Sequence, residues 1–142
     1  MTSKGVFHAC GHGGKSQGGA GKTTLATNLA GYFANQKHKV SLCDLDRQQS
    51  ALRWLAFRAP ELPAITGYFG GNQMSVSMPQ EADWAVLDAP AGFQGYKLND
   101  YMRAVDRVLI PIVPSIFDPP RARNKRDLEQ WQELIAWLGK KK

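Results

Sequence analysis

Short apolar runs alternate with longer amphipathic segments along this chain, a pattern typical of strands that are each followed by a helix. The apolar runs predict buried strands over residues 6–10, 40–43, 84–87 and 108–113, with a weaker strand over 64–68. Helical spacing of apolar residues predicts helices over 22–36, 48–58, 96–105 and 123–138. This alternation predicts an α/β fold on a mainly parallel sheet with right-handed crossovers. Pro111 favours an edge or irregular position for the last strand, because proline cannot donate to a ladder.

The composition is that of a globular domain with a basic surface. The chain has 142 residues, 43% of them hydrophobic, and we expect a single domain over residues 1–142. A net charge of +6 favours a polyanionic partner, either nucleic acid or an acidic membrane surface. Cys10 and Cys43 lie in apolar runs and fit a reducing compartment. Because no signal peptide or membrane-spanning run is apparent, we expect a cytoplasmic protein.

A glycine-rich segment between the first strand and the first helix carries the strongest chemical signal. It reads Gly18-Gly19-Ala20-Gly21-Lys22-Thr23-Thr24. Glycines let successive backbone N–H groups point toward an anion, and the N-terminus of the following helix adds a positive dipole. Lys22 would reach the β- and γ-phosphates of a nucleotide, and Thr23 would place its hydroxyl on Mg²⁺. The strand–loop–helix context distinguishes this segment from a chance glycine-rich turn.

Two of the predicted strands are followed by aspartates. Asp44 and Asp46 come after the second strand, and Asp88 comes after the strand over 84–87. The carboxyl ends of parallel strands meet at the edge of the sheet where ligands bind. There Asp88 would hold Mg²⁺, and one of the other two carboxylates would orient an attacking water. Such aspartates also cap helices, and Asp46 taken alone fits a cap equally well.

In this order, the segments resemble the ParA/MinD group of P-loop ATPases, which have a deviant Walker A motif. The resemblance rests on residues 18–24, 44–48 (DLDRQ), 88–92 (DAPAG) and 110–115 (IPIVPS), and it spans residues 16–118. The chain is most like small ParA-like partition ATPases that lack an N-terminal DNA-binding domain. The resemblance implies a three-layer P-loop NTPase fold, shortened at the C-terminus, with ATP and Mg²⁺ as cofactors.

The resemblance also implies which residues form the site. Phosphate binding would fall to Gly18, Gly19, Ala20, Gly21, Lys22, Thr23, Thr24 and Gly92, the last as a γ-phosphate sensor. Mg²⁺ would be held by Thr23 and Asp88, with Asp44 supporting the metal region. Catalysis would fall to Lys22 and to Asp46, which would position the hydrolytic water.

The family resemblance implies a function as well. ATP would join two subunits, the dimer would bind DNA nonspecifically or, in the MinD branch, a membrane, and a ParB-like or cargo adaptor would stimulate hydrolysis. We therefore expect slow hydrolysis of ATP to ADP and phosphate that drives plasmid or chromosome partition or cargo positioning. The alternatives are a nucleotide-binding regulatory or remnant protein without turnover and, ranked lower, a cobyrinate-synthase-type ligase, for which no substrate domain is apparent.

Two departures from the family favour the alternative without turnover. The signature lysine that precedes the Gly-Gly pair is replaced by Gln17, and Lys15 lies two residues earlier. Lys15 either substitutes for that lysine or is a solvated residue of the glycine-rich loop, and we favour the second interpretation. The chain also ends near the helix that follows Pro114-Ser115, where family members continue. Both features weigh against an ATP-dependent homodimer.

Three further patterns have a structural explanation that is at least as good as a functional one. His8, Cys10 and His12 alternate, but their spacing is unusual for zinc and no fourth ligand is evident. The amphipathic helix over 123–138 is expected to pack on the sheet, which makes a membrane partner the less favoured choice. The basic residues in 121–126 fit a solvated helix start at least as well as a DNA contact.

Overall fold

The computed structural model describes residues 4–8, 21–72, 80–90 and 96–109, without the side chains of 4–8 and 96–98. Strands and helices alternate through these ranges. The strands are β1 (Lys4–His8), β2 (Val40–Asp44), β3 (Ile65–Phe69), β4 (Trp84–Asp88) and β5 (Arg107–Leu109). The helices are α1 (Lys22–Asn35), α2 (Ser50–Ala56) and α3 (Tyr96–Ala104).

The five strands form one sheet in the order β3-β2-β4-β1-β5, and every neighbouring pair is parallel. All five residues of β2 are buried, as are four of the five in β4, because the two strands lie in the interior of the sheet. Burial on both faces explains why these strands are continuous apolar runs rather than alternating ones. The prediction of an α/β fold on a parallel sheet is confirmed.

Helices cover both faces of this sheet. On one face, small residues of α1 and α2 approach the strands closely and enclose a core of Ala26, Ala30, Ala34, Val40, Leu42, Ala51 and Val86. On the other face, α3 and the residue after it complete a core of Cys43, Leu45, Ala85, Leu87, Ala89, Tyr101, Met102 and Val105. The arrangement is the three-layer fold of P-loop NTPases, as the motifs predict.

Element boundaries differ from the predicted ones by up to two residues in most cases. The first strand begins at Lys4, two residues before the predicted start at Val6, and α2 is shorter at both ends than the predicted helix over 48–58. Three predictions lie outside the described residues: the end of the first strand at 9–10, the part of the last strand beyond Leu109 with Pro111, and the helix over 123–138. Cys43 is a buried free thiol, as its apolar run predicts.

Candidate functional site

The carboxyl ends of the central strands meet at one edge of the sheet. Asp88, the last residue of β4, pairs in register with His8 of β1 on one side and with Asp44 of β2 on the other. The backbone links continue past the strand ends, because the N–H of Leu45 donates to the Asp88 carbonyl at 2.9 Å. The two aspartates therefore lie on adjacent strands at one level.

Helix α1 begins beside this edge. Gly21 precedes it with φ = 72°, a left-handed conformation that favours glycine over other residues. No side chain caps the first turn of α1 among the described residues. The free N–H groups of such a turn, with the positive end of the helix dipole, are suited to bind an anion. Lys22 and Thr23, the first two helical residues, are half-buried.

Thr23 connects the start of α1 to the end of β4. Its hydroxyl donates a hydrogen bond of 2.7 Å to Oδ2 of Asp88, although 65 residues separate the two in sequence. The other carboxylate oxygen, Oδ1 of Asp88, is buried and has no hydrogen-bond partner among the described residues. A buried oxygen without a donor is unfavourable unless a ligand satisfies it. A hydroxyl beside a carboxylate is the donor set expected for Mg²⁺, so these residues fit the metal.

Electrostatics also favour a cation at this position. Burial raises the pKa of Asp88 to about 6, and the neighbouring carboxylates of Asp44 and, less strongly, Asp46 contribute to the rise. The hydrogen bond from Thr23 and the charge of Lys22 oppose it. A carboxylate whose charge is this poorly compensated is stabilised by a bound cation.

Asp44 makes contacts of a different kind. It is fully buried, and both of its carboxylate oxygens accept backbone hydrogen bonds. Oδ2 accepts the N–H groups of Ala51 and Leu52 at 2.9 and 3.3 Å, in the first turn of α2. The cap of α2 is therefore Asp44, seven residues before Ala51. Capping by Asp46, the alternative that the sequence left open, is wrong for this helix.

Asp46 lies in the turn between β2 and α2. Its N–H donates to Oδ1 of Asp44 at 3.0 Å, and its own Oδ1 accepts the N–H of Gln48 at 3.0 Å. The side chain is half-buried, and its charge contributes to the raised pKa of Asp88. Asp46 is thus near the Thr23–Asp88 pair. Among the described contacts, its second carboxylate oxygen takes no part in the hydrogen bonds of the turn.

Several predicted site residues lie outside the described residues: Lys15, Gln17, Gly18, Gly19, Ala20 and Gly92. The same holds for Cys10, for His12 and for the side chain of His8, so the structure does not test their alternation as a metal site. Within the described ranges, no group of three or more His, Cys, Asp or Glu side chains is placed to hold a metal. A magnesium ion that also binds phosphate and water needs fewer protein side chains than this, because phosphate and water supply the remaining ligands.

Two structural features at this edge have no obvious local signal in the sequence. Local capping patterns place the acceptor side chain immediately before the helix, so they do not identify Asp44 as the cap of α2. The Thr23–Asp88 hydrogen bond depends on tertiary pairing, and only the two motifs considered together indicate it. None of the helices in the described part of the chain has the length and hydropathy needed to cross a membrane.

Comparison with known proteins identifies relatives of this chain. It is 28% identical over 108 residues to maintenance of carboxysome distribution protein A of Halothiobacillus neapolitanus, a match that covers 72% of the chain and 49% of that protein. It is 30% identical over 104 residues to the protein of the same name from Gloeobacter kilaueensis, covering 72% and 48%. The chain thus spans about half the length of these relatives. The model of the CobQ/CobB/MinD/ParA nucleotide binding domain matches residues 15–142. With this match over most of its length, the chain belongs to the CobQ/CobB/MinD/ParA family of nucleotide-binding domains.

Proposed function

We propose that this chain is a ParA-like ATPase that binds Mg-ATP, hydrolyses it slowly and uses the cycle to position a cellular cargo. The observation that carries the proposal is the contact between Thr23 and Asp88, which brings the start of the phosphate-binding helix to the carboxylate at the strand edge. Family membership supports nucleotide binding, and the names of the relatives support cargo distribution.

We assign each residue of the site a role from its position. Gly18 to Gly21 and the first N–H groups of α1 would surround the phosphates, with Lys22 neutralising the β- and γ-phosphate charge. The metal would be held by the Thr23 hydroxyl and by Oδ1 of Asp88, which has no hydrogen-bond partner among the described residues. When bound, Mg²⁺ would offset charge on the phosphates. Thr24 would complete the phosphate contacts, and Gly92 would contact the γ-phosphate.

Asp46 is the candidate for orienting the hydrolytic water. The turn that contains Asp46 lies at the same edge of the sheet as Asp88, and the charge of Asp46 contributes to the raised pKa of Asp88. The carboxylate would accept a hydrogen bond from the water and hold it in line with the γ-phosphate. An ATPase that only positions water and offsets charge, without an arginine supplied by a partner, is slow. Slow turnover is expected of an ATPase whose hydrolysis is stimulated by a partner protein.

The cargo and partners are proposed from the relatives. Both relatives are named for maintaining carboxysome distribution, which supports an intracellular body as cargo and an adaptor protein on that body. The net charge of +6 supports nonspecific DNA as the surface on which the cargo is positioned. Plasmid or chromosome partition is the other use of the same cycle.

Isothermal titration of the purified chain with ATP, in the presence and absence of Mg²⁺, tests the proposal. We expect ATP binding that Mg²⁺ strengthens, together with slow phosphate release measured with and without DNA. Lys22→Ala should abolish measurable binding while the circular dichroism spectrum is kept, because a charged contact to phosphate is lost. Lys39→Ala, at an exposed lysine before β2, is the matched control and should bind as the wild type does.

Two results would contradict parts of the proposal. ATP affinity that is unchanged in Lys22→Ala would overturn the phosphate-binding assignment. ATP binding by the wild type with no phosphate release, with or without DNA, would favour the alternative of a nucleotide-binding protein without turnover.

Self-association is a separate question, because Gln17 cannot offset phosphate charge as a lysine would. We expect the wild type to remain mainly monomeric with ATP in light scattering. An ATP-dependent dimer that Lys15→Ala abolishes would instead show that Lys15 substitutes for the signature lysine.

A further inference from the structure

Three backbone N–H groups converge on the carboxylate of Asp44. Oδ1 accepts from Asp46 at 3.0 Å, and Oδ2 accepts from Ala51 at 2.9 Å and from Leu52 at 3.3 Å. The carboxylate is fully buried, and so is Ala51. One side chain therefore joins the end of β2, the turn over residues 45–49 and the first turn of α2.

These bonds take the place of a local helix cap. Gln49 occupies the cap position of α2 with φ = 51°, and its side chain makes no capping hydrogen bond. The first N–H groups of a helix have no acceptor within the helix, and a carboxylate there also suits the positive end of the dipole. Without Asp44, the amides of Ala51 and Leu52 would lose their acceptor, and the turn before them would lose its anchor on β2.

The turn that Asp44 anchors is the one that carries Asp46. The N–H of Asp46 is held by Asp44, while its carboxylate accepts from Gln48 two residues later. Asp46 is thus held by two hydrogen bonds, one made by its backbone N–H and one by its carboxylate. Together they set the position of the carboxylate. Catalytic groups depend on this kind of support, since a displacement of about 1 Å can cost a large factor in rate.

We propose that Asp44 is a positioning residue that holds the Asp46 turn and the start of α2 against the sheet, and that it acts on hydrolysis through Asp46. This inference rests on the proposed function, in which Asp46 orients the water. It differs from the sequence-based expectation that Asp44 supports the metal, because both Asp44 oxygens already accept backbone hydrogen bonds. The two roles differ in whether substitution changes the catalytic rate or the Mg²⁺ requirement.

Hydrogen exchange of the nucleotide-free wild type tests the anchor without any substitution. The amides of Ala51 and Leu52 should be protected, although first-turn amides ordinarily exchange freely. Thr23 and Thr24 provide the internal comparison and should exchange faster, because no side chain caps the first turn of α1 among the described residues. Equal, fast exchange in both helices would overturn the proposal.

Asp44→Asn then tests the effect on catalysis, because it preserves the shape but leaves one oxygen able to accept. Exchange at Ala51, Leu52 or Asp46 should accelerate by at least about tenfold, as expected from loss of a hydrogen bond to a charged group. The kcat for ATP should fall by a similar factor, with KM and the half-saturating Mg²⁺ concentration unchanged. Asp83→Asn is the matched control, since Oδ2 of Asp83 accepts the N–H of Lys39 at the opposite end of the sheet.

Each other result has a definite meaning. A raised Mg²⁺ requirement in Asp44→Asn with unchanged exchange would make Asp44 a metal ligand and overturn the inference. A lower melting temperature with unchanged kcat, as expected for Asp83→Asn, would make it a structural cap only and also overturn it. Absence of ATP binding in the wild type would defeat the proposed function and the catalytic part of the inference, while the exchange data would still decide the anchor.

Discussion

Thr23 and Asp88 lie 65 residues apart in sequence, yet the Thr23 hydroxyl donates a hydrogen bond of 2.7 Å to the Asp88 carboxylate. The contact ties the first turn of α1 to the end of β4, and it leaves the other Asp88 oxygen buried without a partner among the described residues. Thr23 belongs to the proposed phosphate-binding segment and Asp88 to the strand edge. Their contact places the two halves of the proposed phosphate–metal site side by side.

Replacing Thr23 should therefore affect metal binding specifically. Thr23→Val keeps the shape of the side chain but removes the hydroxyl, so we expect the strengthening of ATP binding by Mg²⁺ to be lost, and Thr23→Ser to restore it. Thr27→Val is the matched control, because among the described residues the Thr27 hydroxyl bonds to carbonyls of its own helix, those of Thr23 and Thr24. Titrations with and without Mg²⁺ measure the effect, and equal losses in both valine variants would argue against a metal role for Thr23.

A substitution at Asp46 should separate hydrolysis from binding. Asp46→Asn retains an oxygen that can accept the N–H of Gln48, so the turn is expected to keep its shape. The neutral amide is a weaker acceptor for the hydrolytic water, and we expect a loss of turnover by a factor of roughly 10² or more. ATP affinity should stay within a few-fold of wild type. Turnover equal to wild type in a phosphate-release assay would limit Asp46 to a structural role in the turn.

The sequence was sufficient to predict the fold because burial on both faces makes β2 and β4 continuous apolar runs, which alternate with amphipathic helices. It was weaker where tertiary contacts decide the outcome. Helix α2 begins at Ser50, two residues later than predicted, because the N–H of Gln48 bonds to Asp46 in the preceding turn and Asp44 caps the helix. The pKa of Asp88 could not be predicted either, since it depends on burial and on the carboxylates of Asp44, at the end of β2, and Asp46, in the turn after it.

The raised pKa of Asp88 makes the stability of the nucleotide-free chain depend on pH. Its folded pKa of about 6 lies above the ordinary aspartate value of 3.8, so the folded chain binds the proton more tightly than the unfolded chain. The resulting stabilisation is fully present below the unfolded pKa and is lost as the pH rises through the folded one. We expect the free energy of unfolding to fall between about pH 4 and about pH 7.

Asp88→Asn isolates this contribution, because the amide cannot ionise. Urea unfolding of both chains across the range should show a smaller decline with pH in the variant, and the difference between the two curves reports Asp88 alone. The thiol of Cys43 does not interfere, since burial raises its pKa to about 11. Parallel curves for the two chains would mean that the folded state does not raise the pKa of Asp88.

Alanine substitutions at two glycines test the packing that supports the site, and we expect them to change the free energy of unfolding in opposite directions. A Cβ atom at Gly70, just after β3, would lie 2.6 Å from Sγ of Cys43 and 2.8 Å from Cδ2 of Leu45, both in the core. Gly70→Ala forces these side chains to move, and we expect a loss of about 1–3 kcal/mol in the free energy of unfolding. At Gly31, within α1, a Cβ atom would meet no atom within 4 Å among the described residues outside its own stretch of helix. Gly31→Ala should therefore stabilise the chain by about 0.5–1 kcal/mol, since alanine loses less entropy than glycine in a helix.

The two variants differ in the surroundings of the added methyl group. At Gly70 the added methyl group meets two core side chains, whereas at Gly31 the lower entropy cost of alanine in a helix dominates, so we expect changes of opposite sign in urea unfolding. Destabilisation by Gly70→Ala would support the close approach of the chain after β3 to the end of β2, where the N–H of Gly70 donates to the Asp44 carbonyl at 2.9 Å. If Gly70→Ala were neutral or stabilising, the chain after β3 would have to pack less closely against Cys43 and Leu45 than the structure shows.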